Sequence, residues 1–384
     1  MTPVVAAAQA GQPADWLRAN QQMQADNPEA ALPYLERLVR DYPDVVLYRL
    51  ELAYVLYLLE RDGRARYHFE LARGANLTAR QRHSVDAALA KIAERKVWSV
   101  RFGFSLEPAS NAGRGTAAGS VDVGGLDFRV PRNLRAEPAT GAVISAGVTY
   151  RPRLTKRLEA TFSLDAQVKY YDEVALRETL VIGRTGLRFS PAPNTFVEAG
   201  LLAGTSYAAG EHYSDRTGIY GEYSRPLGNR AQAQIGFEAY EIRHKTFTLA
   251  DGPRLQLNAQ FAYALAPNAL LRARGYVLRT DAEGDLQSGW QGALTLGGTY
   301  AFKGGLVTML DFTVGRDERD GTNALLGSRR RDDSRAVEAQ FFNSKYQIGR
   351  FLPVLKMKFE ENKSNQPLNS YTNKSISIGL RTTF

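Results

Sequence analysis

Residues 98–106 read WSVRFGFSL, and this stretch decides the fold. An aromatic or aliphatic residue occupies every second position from Trp98 to Leu106, and the positions between them are polar or glycine. A period of two residues is typical of a β-strand, because its successive side chains point to opposite faces. The same alternation returns in residues 159–170, 254–265 and 290–302. The chain from Trp98 to its C-terminus is therefore predicted to form antiparallel strands.

Alternating strands can build a soluble sandwich, with the apolar face inward, or a membrane barrel, with the apolar face outward. The predicted strands run for about 10–16 residues, which is longer than the usual five or six and enough for a tilted membrane span. Their polar faces carry several charged or amide side chains in succession, as a water-filled lumen permits. Aromatic residues near the strand ends predict the interfacial girdles of a membrane barrel: Tyr150, Tyr170, Tyr171, Tyr240, Tyr300 and Phe302. These features favour the barrel.

The predicted connections give the number of strands. Six short ones fall at residues 151–153, 191–194, 226–229, 266–268, 303–305 and 348–350. Seven longer polar ones alternate with them, near 107–139, 171–175, 208–214, 246–252, 280–287, 316–333 and 361–374. Six short and seven long connections join fourteen strands. In such barrels the short turns face the periplasm, and an even strand number returns the C-terminus to that side.

Residues 14–95 carry helical patterning instead, with an internal repeat of 34 residues. The aligned pairs are Ala19 with Ala53, Ala31 with Ala65, Leu35 with Phe69, and Leu38 with Ala72. The spacing and the small residues resemble the tetratricopeptide repeat, although Leu77 stands where a second proline would follow Pro43. Residues 79–95 would supply a capping helix. The predicted fold class is α+β with two domains: a short helical repeat domain at 11–95, then a transmembrane antiparallel barrel of about 14 strands at 98–384.

Two roles are open for the helical domain. Repeats of this kind usually bind an extended peptide or another protein in a concave groove, and the alternative is a structural plug or spacer. The docking hypothesis names four tyrosines as candidate contacts for such a peptide or protein: Tyr34, Tyr54, Tyr57 and Tyr67.

The composition argues against several classes of protein. The 384 residues contain no cysteine, which excludes disulfides and thiolate metal sites. The four histidines lie far apart without a metal-binding spacing, so neither a metal nor a cofactor is predicted. The net charge is +9, but lysine and arginine are spread along the whole chain, so nucleic acid is not a predicted partner. No nucleophile–base motif occurs, and the chain is predicted not to be an enzyme.

Residues 1–10, MTPVVAAAQA, combine a short apolar run with a small-x-small sequence at Ala8-Gln9-Ala10. This pattern indicates the remnant of a secretory signal peptide.

The inward positions of the predicted barrel carry eight basic residues: Arg101, Lys169, Arg254, Arg272, Arg274, Lys356, Lys358 and Arg381. They could form a positive lumen that attracts an anionic passenger or lipid head group. Alternatively, they could fill the lumen with ion pairs to Glu159, Asp165, Glu238 and Glu360. The run Arg329-Arg330-Arg331 is predicted to lie in a long outer loop and to meet lipopolysaccharide phosphates. Whether the glycine-rich loop 107–139 folds into the lumen is open.

The last ten residues, SISIGLRTTF, resemble the C-terminal signal that the outer-membrane barrel insertion machinery reads. The overall plan resembles the surface lipoprotein assembly modulator (Slam) family, which pairs periplasmic tetratricopeptide-like repeats with a fourteen-stranded barrel. The most specific local part of this resemblance is the segment 98–111, an aromatic strand that runs into a Pro-x-Ser-Asn turn. The residues of this family-like motif are Trp98, Phe102, Phe104, Pro108, Ser110 and Asn111.

This resemblance implies an outer-membrane translocator with its helical domain in the periplasm. Such a protein moves a specific passenger, either a surface lipoprotein or a secreted haem-scavenging-type protein, from the periplasm to the cell surface. A periplasmic chaperone would be a further partner. The alternative function is an exopolysaccharide export porin, which also joins such repeats to a barrel.

Overall fold

The computed structural model describes residues 13–382 apart from 96, 124–125, 347 and 349–350. The predicted signal remnant at 1–10 lies outside the described residues. Between residues 13 and 95 the chain forms five helices: α1 Ala14–Gln24, α2 Pro28–Asp41, α3 Val46–Leu58, α4 Asp62–Ala72 and α5 Ala79–Arg95. Within the described residues, none of the helices has the length and apolar character that a membrane crossing requires.

The 34-residue spacing reappears in the packing of these helices. α2 and α4 begin at Pro28 and Asp62, and both members of all four aligned residue pairs are buried in the helical core. Leu77, at the position of the missing proline, is also buried there. An apolar stripe recurring at helical spacing has to be covered by a neighbouring helix, so the hairpins α1–α2 and α3–α4 pack together.

The described residues after α5 form sixteen strands. Their bounds are β1 Trp98–Ala109, β2 Ser120–Val123, β3 Leu126–Arg129, β4 Ala139–Tyr150, β5 Leu158–Tyr171, β6 Glu178–Ala192, β7 Thr195–Ala208, β8 Glu211–Leu227, β9 Ala231–His244, β10 Gly252–Ala266, β11 Ala269–Thr280, β12 Gly289–Ala301, β13 Leu306–Asn323, β14 Ser328–Asn343, β15 Phe351–Ser364 and β16 Tyr371–Thr382. β2 and β3 form a separate hairpin. The other fourteen strands pair antiparallel in chain order, and β1 pairs with β16 to close a barrel. The predicted two-domain fold is confirmed.

The barrel turns its apolar side chains outward. Trp98, Val100 and Phe102 of β1 are 55%, 67% and 40% exposed, and the other strands repeat this pattern. A soluble protein rarely leaves so continuous an apolar surface uncovered, whereas the acyl chains of a bilayer cover it. Trp98 stacks on Tyr150 with ring centroids 4.3 Å apart, as part of an aromatic band at one end of the barrel.

Two of the tyrosines predicted for the girdles face the other way. Tyr171 and Tyr240 are buried on the inner face, so this prediction was wrong for both. Tyr171 follows the outward-facing Tyr170, and adjacent residues of a strand cannot share a face. Tyr240 lies opposite the inward-facing Arg254.

The two ends of the barrel differ in their connections. We call the end with the connections at 151–157, 193–194, 228–230, 267–268, 302–305 and 344–350 the short-turn rim, and the opposite end the long-loop rim. Two long loops predicted at the long-loop rim are strands instead. β7 and β8 are joined by only residues 209–210, and β13 and β14 extend to a turn at 324–327, so Arg329–Arg331 belong to β14.

The helical domain sits against the short-turn rim. α2 contacts the turn at 303–305, and α4 contacts β10. Gly74, just after α4, lies so close to the end of β10 that an added Cβ would be 2.9 Å from the Cβ of Ala264. In addition, Arg230 donates a hydrogen bond of 2.6 Å to the side chain of Asn76. These contacts place α4 at the mouth of the barrel.

Candidate functional site

The eight basic residues singled out in the sequence all lie on the inner face of the barrel, as the pairing of each strand with its neighbours shows. Six of them have a carboxylate partner, and the pairs are Arg101–Asp165 (2.6 Å), Lys169–Glu178 (2.7 Å), Arg272–Asp311 (3.2 Å), Arg274–Asp311 (3.0 Å), Lys356–Glu107 (3.5 Å) and Lys358–Glu360 (2.5 Å). Arg254 donates weakly to the carbonyl of Ala250, and Arg381 lies over the ring of Phe342. Ion pairs thus dominate this part of the lumen.

The lumen holds a cavity of about 360 Å³, which we call the lumen cavity. Four arginines and four carboxylates line it, so its formal charge is balanced. Arg184 pairs with Glu238 at 2.8 Å, and Arg188 pairs with Glu198 at 2.5 Å. A lumen-filling network was one of the two interpretations of the sequence, and this cavity has that character.

An apolar cluster lies beside the lumen cavity, and the sequence analysis did not find it. Leu202, Tyr220 and Tyr240 are buried together on the inner face, and the Tyr220 hydroxyl donates to Glu198 at 2.9 Å. Alternation along the strands places Leu202 and Tyr220 on the inner face, whereas Tyr240 was predicted for the outer girdle. Their mutual contact was not predictable, because it depends on the stagger of β7, β8 and β9.

A second cavity, of about 720 Å³, lies between the helical domain and the short-turn rim. We call it the rim cavity. α4 and α5 contribute one wall, and the turns at 151–157, 193–194 and 228–230 contribute another. Thr149, Arg151 and Arg188 line both the rim cavity and the lumen cavity. The two cavities therefore adjoin, and we call the place where these three residues lie the neck.

The four candidate docking tyrosines lie on three different helices. Tyr54 and Tyr57 of α3 stack on each other with ring centroids 6.3 Å apart. Tyr34 of α2 lies under the guanidinium of Arg37 at 4.8 Å. Tyr67 of α4 lines the rim cavity. The structure thus brings Tyr54 and Tyr57 together and places Tyr67 at the mouth of the barrel.

A buried arginine stabilises the helix pair at this mouth. Arg49 of α3 is 2% exposed, donates to the carbonyl of Pro43 at 2.7 Å and contacts Nδ1 of His68 at 3.3 Å. Burial lowers the pKa of Arg49 to about 10. Burial and the nearby Arg49 and Arg64 guanidiniums lower the pKa of His68 well below 6.5. His68 therefore accepts from Arg49 as a neutral imidazole.

The family-like motif divides between the outer face of β1 and the loop that follows this strand. Trp98, Phe102, Phe104 and Pro108 occupy outward positions, whereas Ser110 and Asn111 fasten the loop after β1 to β16. Ser110 exchanges two hydrogen bonds of 2.9 Å with the backbone of Lys374. Asn111 is buried, accepts from the amide of Gly115 at 2.8 Å, and donates to the carbonyls of Gly115 and Thr372.

The turn that Asn111 organises directs Arg114 into the long-loop mouth. Arg114 has a left-handed backbone (φ 53°) and reaches Glu360 of β15 at 3.2 Å. Glu360 also accepts from Lys358 at 2.5 Å and from Asn373 at 3.2 Å. The first part of the loop 110–138 is thus tied to the inner face of β15, and we call the Arg114–Glu360 contact the latch.

Residues 98–384, which include every strand of the barrel and the whole motif, match a family model described as "Surface lipoprotein assembly modifier". The chain belongs to the surface lipoprotein assembly modifier family. The match leaves out the helices and begins at Trp98, where the helical pattern changes to the strand pattern. The resemblance seen in the sequence is confirmed, and the closed barrel with its apolar outer face has the form of an outer-membrane protein.

Similar proteins include a curated member of this family. Surface lipoprotein assembly modifier 1 of Haemophilus influenzae is 23% identical over 353 residues, which cover 89% of this chain and 71% of that protein. Among solved structures, the outer membrane channel DcaP of Acinetobacter baumannii is 9% identical with a TM-score of 0.45, and the match covers 75% of this chain and 98% of that one. The toluene transporter TodX of P. putida is 9% identical with a TM-score of 0.44, and the match covers 78% of this chain and 94% of that one. The assignment to the assembly modifier family rests on the family match alone.

Proposed function

We propose that this protein is an outer-membrane translocator that moves a specific protein from the periplasm to the cell surface. The observation that carries the proposal is the adjoining pair of cavities, which leads from the helical domain through the neck into the lumen of a barrel of this family. The name of the H. influenzae relative supports a surface lipoprotein as the passenger.

The orientation follows from the connections of the barrel. Short turns face the periplasm in outer-membrane barrels, and the helical domain contacts the short-turn rim. We therefore place the helical domain in the periplasm, where it meets a passenger or its chaperone before the barrel does. The latch at the opposite rim closes the lumen toward the outside while no passenger is present.

A genetic experiment tests this function. The surface proteome of cells that lack the gene is compared with that of cells complemented with the full chain. We expect at least one surface protein to be lost and restored. A second complementing chain lacks residues 11–95, and it should insert its barrel without restoring display. An unchanged surface proteome would overturn the proposal.

A pair of substitutions tests the route. Thr149→Trp fills the neck, because Thr149 is buried and lines both cavities. Val148→Trp adds the same bulk at the neighbouring position, which points outward. We expect the first substitution to block display and the second to leave it intact. Equal display by both chains would show that the passenger does not pass the neck.

A further inference from the structure

The rim cavity is strongly basic, in contrast to the lumen cavity. Eight basic side chains and two acidic ones line it, a formal balance of +6. The lumen cavity beside it carries four charges of each sign. A concave site lined by charges of one sign concentrates its field and attracts ligands of the opposite sign. The formal charge of the lining therefore changes at the neck, from +6 in the rim cavity to zero in the lumen cavity.

Five of these basic side chains have no carboxylate partner within the described part of the chain: Arg66, Arg151, Lys156, Arg157 and Arg230. Arg230 donates only to the neutral Asn76. The Nε of Arg151 is buried without any hydrogen-bond acceptor. A buried donor without an acceptor carries a free-energy cost that a bound anionic group would remove. The lining is thus incomplete without such a group.

The position of the cavity favours a polypeptide over a lipid. The lining reaches the outward-facing Trp98 at one edge, but Thr149 and Arg188, where the cavity meets the lumen, point to the inside of the barrel, away from the apolar surface that the acyl chains cover. Apolar side chains, including Leu71, Phe196 and Leu270, are interspersed among the cations. A site that mixes cations with apolar surface fits an extended chain with carboxylate and apolar side chains better than a lone phosphate.

We propose that the rim cavity binds an acidic, extended polypeptide segment, and that this segment belongs to the passenger. The second clause rests on the proposed function. The basic turn at 151–157 attracts the segment, and Arg151 meets its leading carboxylate at the neck. Beyond the neck the balanced lumen holds the segment less tightly, so that it can move onward.

Binding to the purified full chain in detergent tests this inference. The probe is a fluorescent peptide of alternating Glu and Ala, compared with peptides in which Gln or Lys replaces Glu. We expect the Glu peptide to bind tightest, and to bind more weakly at 1 M than at 0.1 M salt, because the Debye length falls from about 10 Å to about 3 Å. Vesicles of phosphatidylglycerol and inorganic phosphate serve as competitors. Stronger binding of either competitor than of the Glu peptide would overturn the proposal in favour of a lipid or phosphate site.

Charge substitutions locate the binding. The triple variant Arg66→Gln, Lys156→Gln and Arg157→Gln should weaken binding of the Glu peptide by roughly tenfold. The control variant Arg225→Gln, Lys303→Gln and Lys345→Gln removes three charges from the same rim outside the cavity lining, and it should bind normally. Reversal of all five unpartnered residues to Glu changes the formal balance of the cavity from +6 to −4, so it should create preference for the Lys peptide, a gain that misfolding cannot produce. Equal loss in the control variant, or no gain on reversal, would overturn the proposal.

Failure of this inference differs from failure of the proposed function. If the chain is required for surface display but does not prefer the Glu peptide, only the acidic-segment proposal fails. If the peptide binds in the rim cavity but deletion of the gene removes no surface protein, the translocator function fails and the binding site stands.

Discussion

Arg114 shows how a single residue depends on the motif around it. The hydrogen bonds of Asn111 shape the turn, and the left-handed backbone at Arg114 directs its guanidinium to Glu360. A left-handed non-glycine residue is uncommon and persists only where its surroundings hold it. The left-handed backbone of Arg114 therefore depends on the contacts of the whole latch. We expect the latch to regulate the opening of the barrel at the long-loop rim.

Removal of the latch should open the outer mouth more often. We expect Arg114→Ala to raise the open fraction of the purified barrel in a planar bilayer by about two- to fivefold, the effect of losing one partly exposed ion pair. Arg132→Ala serves as the control, because Arg132 pairs with Glu137 in the same loop and is largely exposed. An equal open fraction of the Arg114 variant and the unmodified protein would show that the latch does not close the lumen.

His68 makes the helical domain sensitive to acid. Its folded-state pKa lies below 6.5, so the unfolded state takes up the proton first as the pH falls. Stability contributed by the neutral imidazole is present above pH 6.5 and is lost as the pH falls toward the folded pKa. The melting temperature of the helices, followed by circular dichroism in the full chain, should fall between pH 7.5 and pH 5, by roughly 4–8 °C for each kcal/mol lost.

The substitution His68→Gln should reduce the fall of the melting temperature between pH 7.5 and pH 5, whereas His83→Gln should leave that fall unchanged. A melting temperature of the unmodified chain that is the same at both pH values would contradict the position of His68 beside Arg49.

The alternation in the sequence placed the eight basic residues on the inner face of the barrel, but it did not show which side chains they contact. Asp332 and Asp333 lie on opposite faces of β14, as adjacent residues of a strand must, and they pair separately with the inward Arg330 and the outward Arg316. By contrast, Arg184 and Glu238 are 54 residues apart on strands that are not neighbours. Their contact depends on the curvature and stagger of the closed barrel, which no local pattern encodes.

At the scale of elements, the pattern of alternation failed where the strands leave the membrane. The segment 316–333 was predicted as a loop because charges occupy successive positions. It is instead a hairpin of β13 and β14 that carries ion pairs such as Arg316–Asp333 and Arg331–Glu318. Beyond the lipid both faces of a strand meet water, so the apolar alternation is lost although the backbone pairing continues.

The contact between α4 and β10 can be tested by a disulfide. The chain has no cysteine, so Gly74→Cys with Ala264→Cys introduces a single pair. A Cβ on Gly74 would lie 2.9 Å from that of Ala264, slightly less than the roughly 3.5–4.5 Å of a disulfide. We expect oxidation to link the helical domain to the barrel, seen as a change in gel mobility that a reductant reverses.

The matched control pairs Gly74→Cys with Ala259→Cys, which lies on the outward face of the same strand. Equal cross-linking of the two pairs, or none of the first, would show that α4 does not rest on this mouth.

At the scale of the whole molecule, the order of the two domains and the number of strands were predictable from periodicity and turn chemistry. The position of the helices against the short-turn rim could not be predicted in this way, because it depends on contacts such as Gly74–Ala264 between residues without a distinctive local pattern. The rim cavity exists only where the two domains meet. The basic residues that line it are therefore scattered through the sequence, and they were not among the eight inward residues predicted.

The central claim is that a passenger protein moves through the lumen, and site-specific photo-cross-linking in living cells tests it most directly. A photoreactive residue replaces Gln260, which lines the lumen cavity, and in a separate strain it replaces Leu257, which faces the lipid. We predict that the Gln260 position captures the same protein that disappears from the surface when the gene is deleted, and that the Leu257 position does not. Capture of that protein from neither position, or from Leu257 alone, would contradict passage through the lumen.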